Sequence, residues 1–283
     1  MKNIVITGAN GKLSCKVANW LKSKGEYSVK QLSLRGNWQS YDFTGTCSIV
    51  HIAGVTPQNA KKDSDYEKIN YELTKELAAK AKACGVKHFI YISSMAVYGI
   101  EQSLDPAGGT VDENTPCSPK SKYGQSKLKA EEYLCTLRGE NFKICIIRVP
   151  SIFDNEKTEY MDQFKYLADK YPFIPKAFVN NYKSFIHSDN LCELIRLSII
   201  SRYDGIICPD DGEFSAFDIC RTIYPGKPVS RFFGIIIELF LKNNPRIIDY
   251  YGAVYYNENL TGVFDGNYRI TDDSEAIRKL YEK

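Results

Sequence analysis

A tyrosine and a lysine lie four positions apart in the run Tyr123-Gly-Gln-Ser-Lys127. The flanking residues, from Ser121 to Glu132, have the pattern of a helix, and positions i and i+4 of a helix share one face. A phenol normally titrates near pH ~10, but a nearby positive charge favours the phenolate and moves the pKa towards neutrality. The spacing therefore suits an acid–base pair, although a surface tyrosine above a surface lysine has the same spacing.

A glycine-containing loop, Thr7-Gly-Ala-Asn-Gly-Lys-Leu-Ser14, stands between a short apolar run and a helical pattern. Glycines at such a turn let the backbone approach a pyrophosphate, whose charge then lies at the N-terminus of the helix. Ser14 replaces the third glycine of the usual pattern and is small enough for close packing of helix on strand. The loop predicts a dinucleotide site, and the alternative is an ordinary turn between a strand and a helix.

The second predicted strand ends without an acidic residue and offers Ser33 and Arg35 instead. An acid at this point would bind a ribose 2′-hydroxyl, whereas an arginine can pair with a 2′-phosphate. The sequence therefore leaves NAD and NADP both open and mildly favours NADP. Arg35 fits equally well as a solvated charge at the end of a strand.

The elements that must position these residues alternate between strand and helix in the first half of the chain, which predicts an α/β fold with a doubly wound parallel sheet. The predicted strands are Asn3–Thr7, Ser28–Leu34, Ser48–Ile52, His88–Ser93, Phe142–Val149 and Gly205–Cys208. The predicted helices are Lys12–Ser23, Asp65–Cys84, Lys122–Arg138 and Ser184–Ile200. We expect an NAD(P)-binding Rossmann domain at residues 1–150, with a return segment at about 184–208. A smaller, interleaved C-terminal substrate lobe is expected at residues 151–183 and 209–283.

Composition sets limits on the class of protein. The 283 residues are 43% hydrophobic and 25% charged, as in an ordinary soluble globular protein, and the net charge of +3 is too small to indicate nucleic acid or an anionic membrane as a partner. Nine cysteines occur singly, without a CxxC pair, which predicts reduced thiols in the cytoplasm. The three histidines lie far apart, so no metal site is expected. The longest apolar stretch, Phe232–Leu241, is about half a membrane span and predicts a buried helix or a contact with another subunit, not membrane insertion.

Three motifs in this order resemble the extended short-chain dehydrogenase/reductases: the glycine loop, Ser93-Ser-Met-Ala-Val-Tyr-Gly99, and the run from Asp112 to Lys127. The chain is most similar to their NAD-dependent epimerase/dehydratase branch, which acts on nucleotide sugars in bacterial polysaccharide pathways. The similarity runs nearly end to end, but the stretch after Arg35 is shorter than in longer relatives, so a helix and a strand are expected to be reduced there. The resemblance implies a Rossmann fold, an NAD or NADP cofactor and a nucleotide-sugar substrate.

The resemblance also implies residue roles. Tyr123 would be the general acid–base group, Lys127 would bind the nicotinamide ribose and lower the pKa of the tyrosine, and Ser94 would stabilise the reacting oxygen. The other residues implied to lie at the cofactor are Gly8, Asn10, Gly11, Leu13, Ala53, Gly54, Asn70 and Ser93, together with Ser33 and Arg35. For the substrate, Ser151 stands where relatives often carry an asparagine. Lys183 stands where some relatives place a cation on the substrate phosphates, and a solvated loop lysine is the alternative.

The reaction implied by the resemblance can be narrowed. Dehydratases and decarboxylases of this family carry an acid beside the active-site serine or threonine, whereas Met95 and Ala96 follow Ser94 here and cannot transfer protons. A UDP-sugar C4 epimerase with tightly held NAD is therefore the first hypothesis, and an NAD(P)H-dependent nucleotide-sugar 4-ketoreductase is the second. The third is a dinucleotide-binding regulator without turnover. A homodimer is expected through a four-helix contact of Asp65–Cys84 and Lys122–Arg138.

Overall fold

The computed structural model describes residues 1–154 and 159–281. In chain order the strands are β1 (Lys2–Thr7), β2 (Tyr27–Leu32), β3 (Ser48–His51), β4 (His88–Ser94), β5 (Thr110–Val111), β6 (Lys143–Val149), β7 (Ser151–Phe153), β8 (Ile174–Pro175), β9 (Tyr182–His187), β10 (Gly205–Ile207), β11 (Glu213–Ser215), β12 (Val229–Ser230) and β13 (Tyr255–Tyr256). The α-helices are α1 (Lys12–Ser23), α2 (Leu73–Ala83), α3 (Lys122–Leu137), α4 (Glu159–Lys170), α5 (Ser188–Ser201), α6 (Ala216–Ile223), α7 (Arg231–Phe240), α8 (Pro245–Tyr251), α9 (Glu258–Thr261) and α10 (Asp273–Tyr281). A π-helical segment, Tyr66–Glu72, runs directly into α2.

The chain divides into two compact units. The first contains residues Met1–Gly99, Pro116–Val149 and Leu191–Cys208. Its sheet has the strand order β10-β6-β4-β3-β1-β2, and every neighbouring pair is parallel. This Rossmann-like arrangement confirms the predicted α/β class. Strands β3, β4 and β6 are buried along almost their whole length, as expected when helices cover both faces of a parallel sheet.

Packing of α2 and α3 on one face of this sheet forms the core below the two helices. Leu77 and Ala81 on α2 and Leu134 on α3 are buried in one cluster with Phe89 on β4 and Ile146 on β6. Apolar residues at helical spacing on each helix meet alternate residues of the strands, so the hydrophobic effect fixes how both helices lie on the sheet. Residues on the opposite side of each helix remain free to form other contacts.

Strand β2 is an edge strand of this sheet. Between Leu32 and Ser48 the chain forms only a short 3₁₀ turn at Trp38–Ser40, in a stretch that the structure describes throughout. The side chains of Trp38 and Phe43 are buried in the same core cluster as α2. The expected reduction of a helix and a strand after Arg35 is therefore present, and two aromatic side chains fill the core there.

The second unit contains residues Ile100–Thr115, Pro150–Asn190 and Pro209–Lys283. Within it, β9 pairs with β7 and β11, β12 pairs with β8, and β13 pairs with β5. These boundaries differ from the expected division in two places, because residues 100–115 and 184–190 cluster with the second unit. Pairing of β5 with β13, and of β9 with its two neighbours, accounts for both differences.

Two predicted elements differ from the structure. The prediction of one helix over Ser184–Ile200 is wrong at its start, since residues up to His187 belong to β9 and the helix begins at Ser188. The ladder that β9 forms with β7 and β11 outweighs the local helical pattern there. Of the two alternatives for Phe232–Leu241, a buried helix is excluded because most side chains of α7 are exposed, and a contact with another subunit stays a prediction. No helix within residues 1–154 and 159–281 has the length and apolar character needed to cross a membrane.

Candidate active site

The glycine loop follows β1 and leads into α1, as the sequence predicts. Gly8 has a φ of +87°, a conformation that favours glycine, and a β-carbon there would lie 3.4 Å from the backbone of Ala53. Gly11 is the N-cap of α1 without a side-chain hydrogen bond, and its amide donates to Gly8 O at 2.8 Å. Buried Ser14 donates to Gly11 O at 2.8 Å and also contacts Gly8 O. The loop thus lets a ligand come close to its backbone and presents the N-terminus of a helix, and both features fit a pyrophosphate.

The remaining loop residues are open to solvent or partly so. Asn10 is exposed and Leu13 is half-buried, so the structure brings both to the mouth of the loop. Gln31 on β2 donates from Nε2 to Ala9 O at 3.3 Å and thereby ties the loop to the edge strand. The sequence analysis did not identify Gln31 as part of the site. Its position on the same strand, two residues before Ser33, could have indicated it.

Ser33 and Arg35 lie just beyond the carboxyl end of β2, and both are exposed. Arg35 N donates to Ser33 Oγ at 3.3 Å. Since Gly8 N donates to Leu32 O at 3.1 Å, this turn starts beside the glycine loop. Both side chains are therefore close to the glycine loop in the structure, whereas their contact with an adenosine ribose or a 2′-phosphate stays a prediction.

A directed chain of hydrogen bonds runs below the loop through buried residues. Thr74 Oγ1 donates to Asn70 O at 2.7 Å, so it accepts from His51 Nε2 at 2.8 Å, and His51 Nδ1 then accepts from Thr7 Oγ1 at 2.7 Å. The Thr7 oxygen also accepts from the amides of Ile52 and Ala53. Burial, with Lys127 adding to it, lowers the pKa of His51 to about 3. The imidazole is neutral and joins the ends of β1 and β3 to the Tyr66–Glu72 segment.

Asn70 holds the segment after β3 through its side-chain amide. Its Oδ1 accepts from Val55 N at 2.8 Å, and its Nδ2 donates to Val55 O at 3.0 Å and to Ser126 Oγ at 3.1 Å. A β-carbon on the neighbouring Gly54 would lie 3.0 Å from Asn70 Oδ1 and 3.6 Å from Lys127 Nζ. The structure thus brings Gly54, Asn70 and Lys127 together, whereas a direct contact of the Asn70 amide with a cofactor stays a prediction.

Tyr123 lies in the first turn of α3 and Ser94 at the end of β4. Ser121 caps the helix by accepting from Gly124 N at 3.0 Å. A β-carbon at Gly124 would lie 2.5 Å from Ala96 O, so the helix contacts the turn after β4 at van der Waals distance. Across this contact Ser94 acts on the Tyr123 phenol and lowers its pKa against the effect of burial. Gly124, inside the motif itself, is a positioning residue that the sequence analysis missed.

Lys127 lies on the same helix as Tyr123, as the spacing predicts, but it is a buried residue and not part of a surface pair. Its Nζ donates to Ile92 O at 2.8 Å and lies 4.7 Å from the ring centre of Tyr91 and 6.0 Å from that of Tyr123. Burial lowers the pKa of the Lys127 ammonium to about 8, although Glu131 acts in the opposite direction. A lysine shifted in this way exchanges protons near neutral pH.

The pKa of Tyr123 differs from the expectation. Burial raises it above the ordinary value for a phenol, while the hydrogen bond with Ser94 acts to lower it. The predicted lowering by Lys127 is therefore not seen in the protein alone, because desolvation of the phenolate outweighs any favourable charge. The side chain is half-buried, with the ring of Tyr66 centred 6.1 Å away. A protonated phenol is the resting form at neutral pH.

The expectation that the Ser93 side chain faces the cofactor is corrected. Ser93 is buried, and its hydroxyl donates to Glu131 Oε1 in the interior of the first unit. Glu131 in turn accepts from Arg148, at 2.7 Å from Nη2 to Oε2, and Arg148 Nη1 donates to Tyr98 OH at 2.8 Å. The sequence analysis did not identify Glu131. It follows Lys127 by four residues on α3, the same spacing as between Tyr123 and Lys127, and this spacing could have indicated that it lies on the same face of the helix.

The two residues suggested for the substrate lie in the second unit. Ser151 begins β7 and is exposed, so its hydroxyl is available to a ligand. Lys183 is fully buried on β9, where Nζ donates to Gly252 O at 2.7 Å and to Gln102 Oε1 at 3.0 Å, and burial lowers its pKa to about 8. It is neither a phosphate ligand nor a solvated loop lysine, because its ammonium joins β9 to two other segments of its own unit.

Ser94, Tyr123 and Lys127 together can pass a proton to or from a hydroxyl or carbonyl placed beside the phenol. No cluster of metal-ligating side chains occurs in the described ranges. The glycine loop and Gly54 provide the surface on which a dinucleotide fits. These are the parts of a site for hydride transfer coupled to proton transfer.

Comparison with solved structures shows the fold. A UDP-glucuronic acid 4-epimerase from Bacillus cereus, solved in complex with NAD, superposes with a TM-score of 0.71 over 99% of this chain and 97% of its own, at 16% sequence identity. A dTDP-4-dehydrorhamnose reductase from Bacillus anthracis str. Ames, solved with NADP, gives a TM-score of 0.60 over 81% of this chain and 83% of its own, at 22% identity.

Among curated proteins, the chain is 26% identical over 215 residues to an N-acetyl-alpha-D-glucosaminyl-diphospho-ditrans,octacis-undecaprenol 4-epimerase from Escherichia coli O157:H7, covering 70% of this chain and 63% of the relative. It is 26% identical over 217 residues to a UDP-glucose 4-epimerase from Vibrio cholerae, covering 69% of this chain and 65% of the relative. The chain thus spans a little under two thirds of the length of these relatives. A family model described as NAD dependent epimerase/dehydratase family matches residues 4–164. More than half of the sequence follows that family pattern, and the chain belongs to the NAD dependent epimerase/dehydratase family.

Proposed function

We propose that this protein is a nucleotide-sugar C4 epimerase that uses a retained NAD, with a UDP-sugar as its substrate. The observation that carries the proposal is the placement of the Tyr123 ring, centred 6.0 Å from Nζ of the buried Lys127, on a helix that packs against the turn after Ser94. Lys127 in turn lies beside Gly54, where a β-carbon would be 3.6 Å from its Nζ, and Gly8 of the glycine loop packs on the neighbouring Ala53. Relatives that act at C4 of diphosphate-linked sugars, one on UDP-glucose and one on an undecaprenol-diphosphate sugar, support the choice of reaction and substrate class.

The chain's own residues account for the proton movements of such a reaction. NAD supplies the hydride acceptor and donor when bound. Tyr123 takes the proton of the sugar 4-hydroxyl as the carbon is oxidised and returns a proton when the opposite face is reduced. Ser94 orients that oxygen by hydrogen bonding, and Lys127 provides a cation that favours the phenolate once the site is filled. Arg148 and Glu131 take no part in these transfers and hold α3 in place.

The turn after Ser94 supports epimerisation over elimination of water. Met95 and Ala96 form a 3₁₀ turn there, and Ala96 N donates to Ser94 Oγ at 3.2 Å. Neither side chain carries an acid or a base, so the proton that a dehydratase must remove from carbon has no acceptor at these positions. Hydride transfer assisted by the Tyr123 phenol remains as the chemistry of the site.

A nucleotide-sugar 4-ketoreductase that consumes NADPH or NADH is the second candidate. The exposed Arg35, in place of an acid after β2, favours it, because an arginine there suits the 2′-phosphate of NADP. A reductase releases its oxidised cofactor after every turnover, whereas an epimerase keeps it. The two activities therefore differ in their net change of nicotinamide.

The test supplies purified protein with UDP-glucose, UDP-N-acetylglucosamine, UDP-glucuronic acid or the undecaprenol-diphosphate sugar and measures epimers by chromatography and nicotinamide by absorbance. We expect interconversion of C4 epimers without net nicotinamide change. Stoichiometric oxidation of NAD(P)H with a 4-keto sugar would identify the reductase instead. A protein that binds a dinucleotide but turns over none of these would be the third candidate, a regulator.

Substitution at the phenol separates catalysis from binding. Tyr123→Phe should lower kcat by roughly 10²–10⁴-fold, the usual contribution of a positioned acid–base group, with dinucleotide affinity nearly unchanged. Tyr133→Phe is the matched control, because it removes a half-buried phenol from the same helix, away from Ser94. Equal activity of both variants and the parent would rule out the catalytic assignment.

We also propose that the chain works as a homodimer in the cytoplasm. The Tyr66–Glu72 segment and α3 border a groove of about 600 Å³, lined in part by Tyr66, Pro119 and Leu128, which suits packing of the same helices from a second copy. None of the nine cysteines, all of which lie in the described ranges, forms a disulfide, which agrees with a reducing compartment. A single-chain mass by light scattering at micromolar concentration would contradict the dimer.

A further inference from the structure

Helix α7 presents an apolar face to solvent in the second unit. Three of its side chains are exposed to a degree unusual for their type: 68% for Phe232, 63% for Leu239 and 77% for Phe240. The exposed apolar residues of the helix and the turn after it are Phe232, Phe233, Ile235, Leu239, Phe240 and Leu241. Contiguous apolar surface of this kind marks an interaction site, because it would otherwise be buried in the core.

Packing on the inner side of α7 fixes which side chains point outwards. A β-carbon at Gly234 would lie 2.0 Å from Lys176 O, so the helix rests directly on the backbone beneath it. Ile237 is buried in the core of the unit, and Glu238 Oε1 accepts from Phe178 N at 2.8 Å. The helix is therefore held along its length, and its exposed side is a fixed feature of the fold.

Aromatic rings extend the apolar face beyond the helix. The ring of Phe233 lies 4.4 Å from that of Phe173, which stacks at 5.8 Å on Tyr171. Phe232 packs edge-on against Phe233 at 5.7 Å. Lys170 lies with its ammonium 5.6 Å from the centre of the Tyr171 ring. The result is an apolar surface with an aromatic margin and a cation at that margin.

Cations outnumber acids around α7. Arg231 stands at its start, and Lys242 and Arg246 follow its end, all three exposed. Between Lys227 and Asp249 the sequence carries two acids, the exposed Asp249 and Glu238, whose carboxylate accepts from Phe178 N. A net charge of +3 for the whole chain thus conceals a local concentration of positive charge around an apolar face.

We propose that α7 docks this protein on the surface of an anionic lipid bilayer. The helix is about 15 Å long, too short to span a membrane but long enough to lie in the interface with its apolar side among the acyl chains. The cations at both ends then meet lipid phosphates. A second copy of the chain fits less well, because a two-fold contact between apolar faces would set the cations Arg231 and Lys242 of one copy against the same cations of the other.

The test is co-sedimentation of the purified full-length chain with vesicles of phosphatidylcholine alone or with phosphatidylglycerol added to about a third. We expect binding to the anionic vesicles that weakens as salt is raised. The pair of substitutions Phe232→Ser and Phe240→Ser should reduce the partition coefficient by roughly tenfold or more. The pair Arg231→Glu and Lys242→Glu should have a similar effect on anionic vesicles only.

Matched controls use exposed residues of the same type in other places. Ile206→Ser with Ile270→Ser removes comparable apolar surface, and Lys61→Glu with Lys62→Glu reverses two exposed charges, and neither pair should change binding. Equal binding of the α7 variants and the parent, or no binding to either vesicle, would overturn the proposal. A parent dimer that becomes a monomer with Phe232→Ser and Phe240→Ser would assign the face to a second copy. Because binding is read without substrate or turnover, the result is independent of the proposed epimerase activity.

Discussion

Arg148 on β6 binds Glu131 on α3 with 2.7 Å between Nη2 and Oε2, in the interior of the first unit. The side chains of both residues are nearly inaccessible to water, and Ser93 and Tyr98 supply further hydrogen bonds to the pair. Glu131 lies one helical turn after Lys127, so the ion pair fixes the part of α3 that carries the lysine. Helix α3 is thus anchored to two strands of the sheet at the same depth as the candidate catalytic groups.

Removing one member of this pair should be strongly destabilising. Arg148→Met leaves the Glu131 carboxylate buried without its partner, and we expect the free energy of unfolding to fall by about 3–5 kcal/mol. Chemical denaturation with an unchanged m-value would measure the loss. Arg138→Met is the control, because its contact with Asp204 is partly solvated and should contribute about 1 kcal/mol or less. Similar losses for the two variants would show that the buried pair has no special weight.

Gly124 should tolerate no side chain. The β-carbon of Gly124→Ala would meet Ala96 O at 2.5 Å and force α3 away from the turn that follows Ser94. We expect a loss of about 1–3 kcal/mol in stability, as for other overpacked sites, and a lower kcat because Tyr123 moves away from Ser94. Thermal unfolding and turnover measure the two effects.

Gly139→Ala provides the comparison for that variant. A β-carbon there meets nothing within 4 Å, so its effect on stability should stay within about 1 kcal/mol of the parent. If Gly124→Ala were equally neutral in both stability and kcat, the close approach of α3 to the turn would have no role in positioning the site.

In the ligand-free protein, the buried Lys127 should lower the free energy of unfolding. Its pKa in the folded chain is about 8, below the unfolded value near 10.4, so burial of the ammonium opposes folding fully below pH 8. The opposition is relieved as the pH rises from about 8 to 10.4. Lys127→Met should therefore raise the free energy of unfolding at pH 7 by about 1–2 kcal/mol while abolishing turnover. A less stable Lys127→Met protein would show that the hydrogen bond to Ile92 O outweighs desolvation.

Carboxyl groups of the second unit should make stability fall at alkaline pH. Burial raises the pKa of Asp210 to about 8, and burial followed by the proximity of Asp211 raises that of Asp273. In the folded chain these carboxyls keep their protons up to high pH, whereas in the unfolded chain a carboxyl loses its proton near pH ~4. Their contribution to the stability of the fold is therefore complete below pH ~4. That stabilisation is lost as the pH rises towards the folded values, by at most about 1.4 kcal/mol per pH unit for each group.

Asp273→Asn tests this pH dependence. The variant should lose less stability than the parent between about pH 7.5 and 9, a range that lies above most of the titration of unfolded histidine. Urea unfolding at several pH values measures the difference. Asp272→Asn is the control, since Asp272 is exposed and caps the start of α10 by accepting from Glu275 N, as an asparagine also does. Parallel stability curves for the parent and Asp273→Asn would contradict the raised pKa of the cluster.

Local pattern predicted the elements of the first unit well, for a physical reason. Helix α1 is found at the predicted bounds, Lys12–Ser23, because amphipathic spacing and the preceding glycine turn act in the same direction. The strands of a covered parallel sheet are continuous apolar runs, which short windows of sequence reveal. Tyr123 and Lys127 share a helix because their spacing alone sets that relationship.

Long-range contacts were not accessible to the same reasoning. Lys183 was misplaced because its partners, Gln102 and Gly252, are far away in sequence, and no local pattern shows that three segments bury one ammonium. The start of the Ser184–Ile200 prediction failed because β9 pairs with strands on both sides. Ser93 was placed at the cofactor by the resemblance alone, which does not show that strand alternation sends the side chains of Ser93 and Ser94 in opposite directions.

Because β2 is an edge strand, residues that follow it can change without weakening the sheet. Ser33 and Arg35 follow a strand that has a neighbour on one side only, and their side chains are exposed. Substitutions there change the exposed charge beside the glycine loop without disturbing a packed layer. If the proposed contact with the adenosine ribose holds, point mutations at these two positions can shift the preference between the two dinucleotides at little cost to the fold, because neither residue is constrained by the core.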